Sequence, residues 1–267
     1  MINNPLISII TVCFNSERTI QRTFNSILNQ SIKNFEYIIV DGKSSDNTIN
    51  IINDYTNIFK DLGINTIVVS EKDNGIYDAM NKGIKLSNGQ WLIFLNSDDW
   101  YLNNTVEIIN KYINDKYDII CGGINGIKKI NDKYYYRPIT PELTKINLSM
   151  SLLHPATIIK KSVLEKFYFD TNFKIAGDWD LLKKLFNYNY RFLLINDILV
   201  NYMEDGISAK TNVKLRLEQY KIINSTNPIF AKIHLIKNLI TQQIKNFIII
   251  KRIKKNQFKD YIEFEDL

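Results

Sequence analysis

The sequence is poor in the residues that metal clusters and redox centres use. It has two cysteines, Cys13 and Cys121, and two histidines in 267 residues. That excludes a disulfide framework and every zinc spacing of paired cysteines and histidines. Cys13 lies inside an apolar, strand-like run and reads as a buried free thiol, which suits a reducing cytosol. Glycine is sparse, at 10 residues, and neither GxGxxG nor GxxxxGK[ST] occurs. A dinucleotide-binding Rossmann fingerprint and a P-loop are therefore disfavoured. A diphosphate bound by this chain needs a metal ion and side chains in place of a glycine-rich cradle. No apolar run approaches the ~18 residues of a membrane span. Met1-Ile-Asn-Asn-Pro5 lacks the positive region of a signal peptide, so neither secretion by that route nor membrane integration is expected.

What is present fits an ordinary globular protein, with 45% hydrophobic and 23% charged residues. The length suffices for one large domain, or one domain with an appendage. A net charge of +6 favours anionic partners: nucleotides, diphosphates, nucleic acid or an acidic membrane face. No RNP-like aromatic motif supports nucleic acid, so none is expected as a partner.

The first hundred residues alternate in period. Apolar, β-rich runs at 6–13, 36–40, 64–70 and 91–95 read as strands, the first covered on both faces and the last buried. Between them lie helical patterns, such as Ile20, Phe24, Ile27 and Leu28 at the spacing of one buried face. This predicts βαβ units and a parallel sheet. Right-handed crossovers then put the strand-to-helix turns on one edge. Phe14, Asp41, Asp73 and the pair Asp98-Asp99 should converge there. Paired acids at a strand end suit a hard divalent cation, although either could instead cap a helix starting near Leu102.

The second half is less regular. Asp118-Ile-Ile-Cys-Gly-Gly123 reads as a strand and turn, and Lys128 to Arg137 as a basic, tyrosine-rich hairpin or loop. A helix opens near Asp178 with Leu181, Leu182 and Leu185 on its face, and Phe192 to Ile195 reads as a strand. Tyr77 and Met80 are assigned to helix packing. After Pro228, Ile229, Ile233, Ile236, Ile240, Ile244 and Phe247 keep helical spacing among Lys232, Lys237 and Lys245. Such a basic amphipathic helix either lies on an anionic membrane or packs on the core with solvated lysines.

In this order, several short runs resemble the family-2 glycosyltransferases of the GT-A fold. They are Phe14-Asn-Ser-Glu17, Val40-Asp-Gly-Lys-Ser-Ser-Asp46, Ser70 to Gly83 with its Gly-Ile-Tyr-Asp-Ala-Met-Asn-Lys-Gly core, Phe94-Leu-Asn-Ser-Asp-Asp99, His154-Pro-Ala-Thr157 and Ala176-Gly-Asp-Trp-Asp-Leu181. The long central run is most similar to bacterial enzymes that assemble O-antigen or capsule repeats. The resemblance implies an α/β domain over 1–210 with a Rossmann-like, mostly parallel central sheet flanked by helices. Residues 1–100 would be its nucleotide-sugar half and 101–210 its acceptor half. A basic helical extension would follow over 211–267.

The resemblance also implies roles. Phe14 lies against the uracil of a UDP-sugar and Asp41 accepts from its ring N–H, while Lys72 and Asp73 border the nucleotide. Asp98 and Asp99 stand at the family's DXD motif, both as candidate ligands of Mn²⁺ or Mg²⁺, with Asp98 more toward the ribose side and Asp99 the main cation ligand. Asp178 stands at the catalytic base, with Asp180 one helical step away as the fallback. The family's usual Glu-Asp is here Gly177-Asp178, which puts the glutamate's acceptor contact in doubt. His154, Trp179, Ser208 and Lys210 are further substrate contacts, Trp179 by stacking on the acceptor sugar or else by packing. The implied activity is inverting, metal-dependent transfer of a hexose, β-linked glucose or galactose, from a UDP-sugar. The acceptor would be a lipid-diphosphate-linked saccharide at the cytoplasmic face of the bacterial inner membrane, bound peripherally through the C-terminal helix. Two other classes compete. A sugar-phosphate nucleotidyltransferase needs a glycine-rich, arginine-bearing loop after the first strand, where this chain has Thr11-Val-Cys-Phe-Asn15. A non-catalytic membrane- or nucleic-acid-binding protein draws only on the net charge and the 15 tyrosines.

Overall fold

The computed structural model describes residues 6–130, 133–204, 213–225 and 262–264. Strands β1 (Ile7–Cys13), β2 (Glu36–Asp41), β3 (Asn65–Ser70) and β4 (Trp91–Phe94) alternate with helices α1 (Ile20–Leu28), α2 (Thr48–Asp61) and α3 (Ile76–Leu86). After β5 (Trp100–Tyr101) and α4 (Thr105–Tyr112), the hairpin β6 (Ile119–Ile130) and β7 (Lys133–Ile139) follows. Then come β8 (Thr157–Lys160), α5 (Lys161–Phe167), α6 (Gly177–Asn187), β9 (Phe192–Met203), α7 (Val213–Asn224) and β10 (Ile262–Phe264).

One sheet holds all ten strands, in the order β10-β7-β6-β8-β4-β1-β2-β3, with β9 paired to β6 and to β5. The two halves differ in sense. β4, β1, β2 and β3 are parallel throughout. From β4 to β8 and across β6, β7 and β10 the pairing is antiparallel, and β9 alone returns parallel to β6. β6 is not the short strand and turn that Gly122-Gly123 suggests. Those glycines sit at a register shift against β9, a bulge that lets twelve residues continue as one strand.

Consecutive residues of β1 feed opposite layers, as the pleat requires. Ile7 and Ile9 join a core cluster with α1, α2 and α4. Ile10 and Val12 join a second cluster with α3, α5, α6 and α7. Ile222 and Ile223 of α7 are buried in that second cluster, so the packed body runs past residue 210 and includes α7. The basic amphipathic stretch after Pro228, together with Ser208 and Lys210, lies outside the described residues. Among the described residues, no helix is long and apolar enough to cross a membrane.

Candidate active site

Because β1 to β4 are parallel, their carboxyl ends share one edge, where ligands gather in open α/β sheets. The loops there are laced together. The Asn15 backbone N–H donates to Ser44 Oγ (2.8 Å), and Asn15 Oδ1 accepts from the Ser45 N–H (2.8 Å). The Asn47 N–H donates to Glu17 Oε2 (2.9 Å), and the Glu17 N–H to Asp46 Oδ2 (3.2 Å). Ser16 and Ser97 share a hydroxyl hydrogen bond at 2.8 Å, joining the loops after β1 and β4. Many residues of the sequence motifs thus hold one another, and the cleft is what remains between them.

That cleft has a volume of about 1260 Å³. Sites for one small ligand run to roughly 300–1,000 Å³, so there is room for two substrates. Phe14, Asp46, Asp73 and Asp98 line it from the strand ends, and His154, Lys174 and Asp178 from the second half. Lys214 and Gln219 of α7 complete the wall. Phe14 is 62% exposed, an aromatic face left open at the rim. Asp73 Oδ1 accepts from the Gly75 N–H (2.9 Å), and its carboxylate crosses directly over Gly42. A Cβ at Gly42 would run into Asp73 Oδ2, so any other residue there would push the Asp73 carboxylate aside.

Four expected site residues are placed differently from the rest. Asp41 is fully buried and does not line the cleft; its carboxylate accepts from the Ser44 N–H and from the Ser44 and Ser70 hydroxyls. Lys72 is exposed outside the cleft, its carbonyl accepting from Lys82 Nζ (2.9 Å). Asp99 is 0% exposed. Its Oδ1 accepts from the Met203 N–H of β9 (3.0 Å) and its Oδ2 from Asn96 Nδ2 (3.3 Å). Trp179 borders the cleft but is only 2% exposed, packing in the core and donating its indole N–H to the Ile146 carbonyl (2.6 Å).

Asp98, by contrast, faces the cleft. Burial pushes its carboxyl above the usual carboxylate range, against the pull of its own backbone N–H and the Arg22 guanidinium. Asn96 Oδ1 beside it is buried without a hydrogen-bond partner. A half-buried carboxylate and an orphaned amide oxygen are hard donors, and they fit Mn²⁺ or Mg²⁺. Among the described residues there is no cluster of three or more His, Cys, Asp or Glu that could hold a metal. The protein thus supplies few ligands, as is usual where substrate phosphates and water complete the shell.

Asp178 sits in the first turn of α6. Its Oδ1 accepts from the Tyr77 hydroxyl (3.1 Å) and the Trp179 N–H (2.9 Å). Both bonds fall on one oxygen, leaving the other for an incoming group. Burial raises its pKa, opposed by His154. Asp180, the fallback base, is ion-paired with Lys184 at 2.6 Å. His154 is buried, stacked on Phe94 (5.3 Å between centroids), with Nε2 unpartnered and its pKa lowered by burial.

Tyr77 is what the sequence reading missed by treating it as packing alone. Its ring does pack, stacked on Phe169 at 5.5 Å, but its hydroxyl also accepts from the Gly177 N–H (2.8 Å). A Cβ at position 177 would lie 2.7 Å from the Tyr77 ring. The missing glutamate is thereby explained: the space it would need is occupied by the tyrosine that holds Asp178. No local sequence signal marks the contact, because Tyr77 and Gly177 lie 100 positions apart.

A parallel half-sheet whose strand-end acids face a buried aspartate of the second half across one large cleft suits a nucleotide-sugar-dependent transferase. The family model for glycosyl transferase family 2 matches residues 8–196, and the chain belongs to that family. A PGL/p-HBAD biosynthesis glycosyltransferase of Mycobacterium bovis is 27% identical over 187 residues, 68% of this chain and 70% of that protein. Among solved structures, S. aureus TarS 1–349 in complex with UDP-GlcNAc superposes with a TM-score of 0.63 at 22% identity, covering 81% of this chain and 64% of that one. A Pyrobaculum calidifontis mannosyltransferase in complex with GDP-Man and Mn²⁺ gives 0.59 at 16% identity, covering 82% of this chain and 62% of that one. The fold is GT-A.

Proposed function

We propose that the protein transfers a hexose from a UDP-sugar to an acceptor hydroxyl in one inverting displacement, with Asp178 as the base. The observation that carries this reading is the cleft itself, with Asp98 on the strand-end wall and Asp178 on the opposite one. Phe14 offers its open face to the uracil, and Asp46 and Asp73 border the nucleotide. Asp41 and Lys72 act behind this wall, as supports of the loops that form it. Asp98, with Asn96 beside it, would hold Mn²⁺ or Mg²⁺, and the ion would supply positive charge against the leaving diphosphate. Asp178 takes the acceptor proton through the oxygen that Tyr77 and Trp179 leave free. His154 Nε2, unpartnered in a buried wall, contacts the acceptor. One base and one cation site suffice, whereas a glycosidase flanks its scissile bond with two carboxylates. The UDP-GlcNAc bound by TarS and the Mn²⁺ bound by the mannosyltransferase support the donor and the cation.

The acceptor proposed is a lipid-diphosphate-linked sugar in O-antigen or capsule assembly, reached from the cytoplasmic face of the inner membrane. The basic stretch after Pro228 supports this, since lysines near an anionic leaflet gain roughly 1 kcal/mol each. Thermal stabilisation by a panel of UDP-sugars, with and without Mn²⁺, tests the donor. A UDP-hexose should stabilise the fold only with the cation, and hydrolysis should follow it. Release of pyrophosphate from UTP and a sugar phosphate would instead favour the nucleotidyltransferase. A chain ending at Ser225 should lose recovery with inner-membrane vesicles while keeping that UDP response, and unchanged recovery removes the membrane role.

A further inference from the structure

Helix α7 lies beyond the segment that the family model matches, yet it reaches the base-bearing turn. Glu218 on α7 is 6% exposed. Its Oε1 accepts from the Lys174 N–H (2.8 Å), and its Oε2 from the N–H groups of Ile175 and Ala176 (both 2.9 Å). These are the three peptide donors immediately ahead of α6. The residue at the α6 N-cap is Ala176, which makes no side-chain cap. Alanine has no oxygen with which to satisfy the orphan donors of a first turn. Glu218 supplies acceptors from another helix for the N-cap N–H and the two before it, while Tyr77 and Asp178 take the first-turn N–H groups of Gly177 and Trp179. It also places negative charge at the positive pole of α6.

The favour is returned at the other end. Lys183 of α6, 3% exposed, donates to the Ile222 carbonyl in the last turn of α7 and to Ser225 Oγ (3.4 Å). Each helix thus neutralises one pole of its neighbour. The two contacts differ in what they hold. Lys183 touches only the far end of the pair, whereas the three residues gripped by Glu218 themselves line the cleft and precede Asp178 by two positions or more. Lys214, Leu215 and Gln219 on α7 line it too. The same helix therefore forms one wall of the site and fixes the backbone that aims the base.

We propose that Glu218 is a positioning residue for Asp178, and that α7 is a part of the active site. The inference rests on Asp178 being the base. A misplacement of about 1 Å at a reacting group costs on the order of 10²-fold in rate. Glu218→Gln keeps one acceptor oxygen but turns an amide N–H₂ toward a backbone donor, so the 174–176 peptide shifts.

The test compares Glu218→Gln, Lys183→Met and Asp178→Asn in the full chain. Glu218→Gln should lower kcat by about 10- to 100-fold, with donor KM and Mn²⁺-dependent UDP affinity within about twofold. The acid limb of its kcat–pH profile should move to higher pH as Asp178 loses its hold on the Tyr77 hydroxyl. Glu218→Asp, one methylene short but still charged, should show a smaller loss, and it replaces the glutamine variant if that one does not fold. Lys183→Met should lower Tm and leave the kcat of the folded enzyme within about twofold. Equal kcat losses in Glu218→Gln and Lys183→Met, or an unmoved pH profile with full turnover in Glu218→Gln, overturn the proposal. If Asp178→Asn keeps its turnover, the base assignment fails, and this result is separate from either of those.

Discussion

Asp178→Asn should lower transfer by at least 10²-fold and leave Mn²⁺-dependent UDP binding within about twofold of wild type. A positioned general base contributes typically ~10² to 10⁴ in rate, and asparagine cannot accept the acceptor proton. The substitution is close to isosteric, and the amide oxygen of the new side chain would still accept from Tyr77 and Trp179, so the fold should survive. Tyr77→Phe provides the graded companion. It removes one donor to Asp178 and strands the Gly177 N–H, so a kcat loss of about tenfold with unchanged UDP affinity is expected. Isotope-labelled transfer assays beside calorimetric UDP titrations separate the two effects. Near wild-type turnover in Asp178→Asn would falsify the base assignment.

The raised pKa of Asp178 gives this experiment a second axis. As the proposed base, Asp178 would work only when ionised, and burial favours its neutral form. Activity should therefore fall on the acid side at a pH above the ~3.9 of a free aspartate. The same shift bears on stability. A carboxyl whose pKa rises on folding favours the fold below its unfolded pKa, and that contribution is lost as pH rises through the folded value. Asp98, Asp99 and Asp178 all shift this way. The chain accordingly keeps an active site that opposes its own stability at neutral pH.

The parallel half of the fold was readable because β1, β2 and β4 are buried along their whole length, β3 carries the same apolar run although its residues are half-buried or exposed, and each helix shows one apolar stripe. The antiparallel half was not. β9 runs twelve residues, but Asn196-Asp197 interrupts its apolar pattern and makes it read as a short strand. β6 hides behind a bulge whose glycines imitate a turn. At the site, motifs located loops that line the cleft but did not assign the tasks within them. Asn15, Glu17, Asp41 and Ser44 belong to the motifs and serve to bind loop to loop. Which acid points inward depends on partners far along the chain, and local sequence carries no record of those. Tyr77 touches Gly177 and Asp178 across 100 and 101 positions.

Asp98 and Asp99 are the sharpest instance, and their separation is the second large effect expected. Taken from the motif alone, Asp99 is the cation ligand and Asp98 the ribose contact. The geometry favours the opposite emphasis: Asp98 borders the cleft, while Asp99 spends its carboxylate on Met203, 104 positions away, and on Asn96. Asp98→Asn should abolish the Mn²⁺ dependence of UDP binding and transfer, with Tm nearly unchanged in the absence of ligand. Asp99→Ala should strand the Met203 N–H and cost about 1–3 kcal/mol of stability, several degrees in Tm. Below its own Tm, it should still bind UDP with the cation. Cation binding should also tighten as pH rises, because Asp98 must lose its proton first, and calorimetry in buffers of different ionisation enthalpy should show that proton released. A stable Asp99→Ala variant without cation-dependent binding, beside an Asp98→Asn variant that retains it, would return the metal to Asp99. It would also mean that the turn after β4 rearranges when the nucleotide arrives.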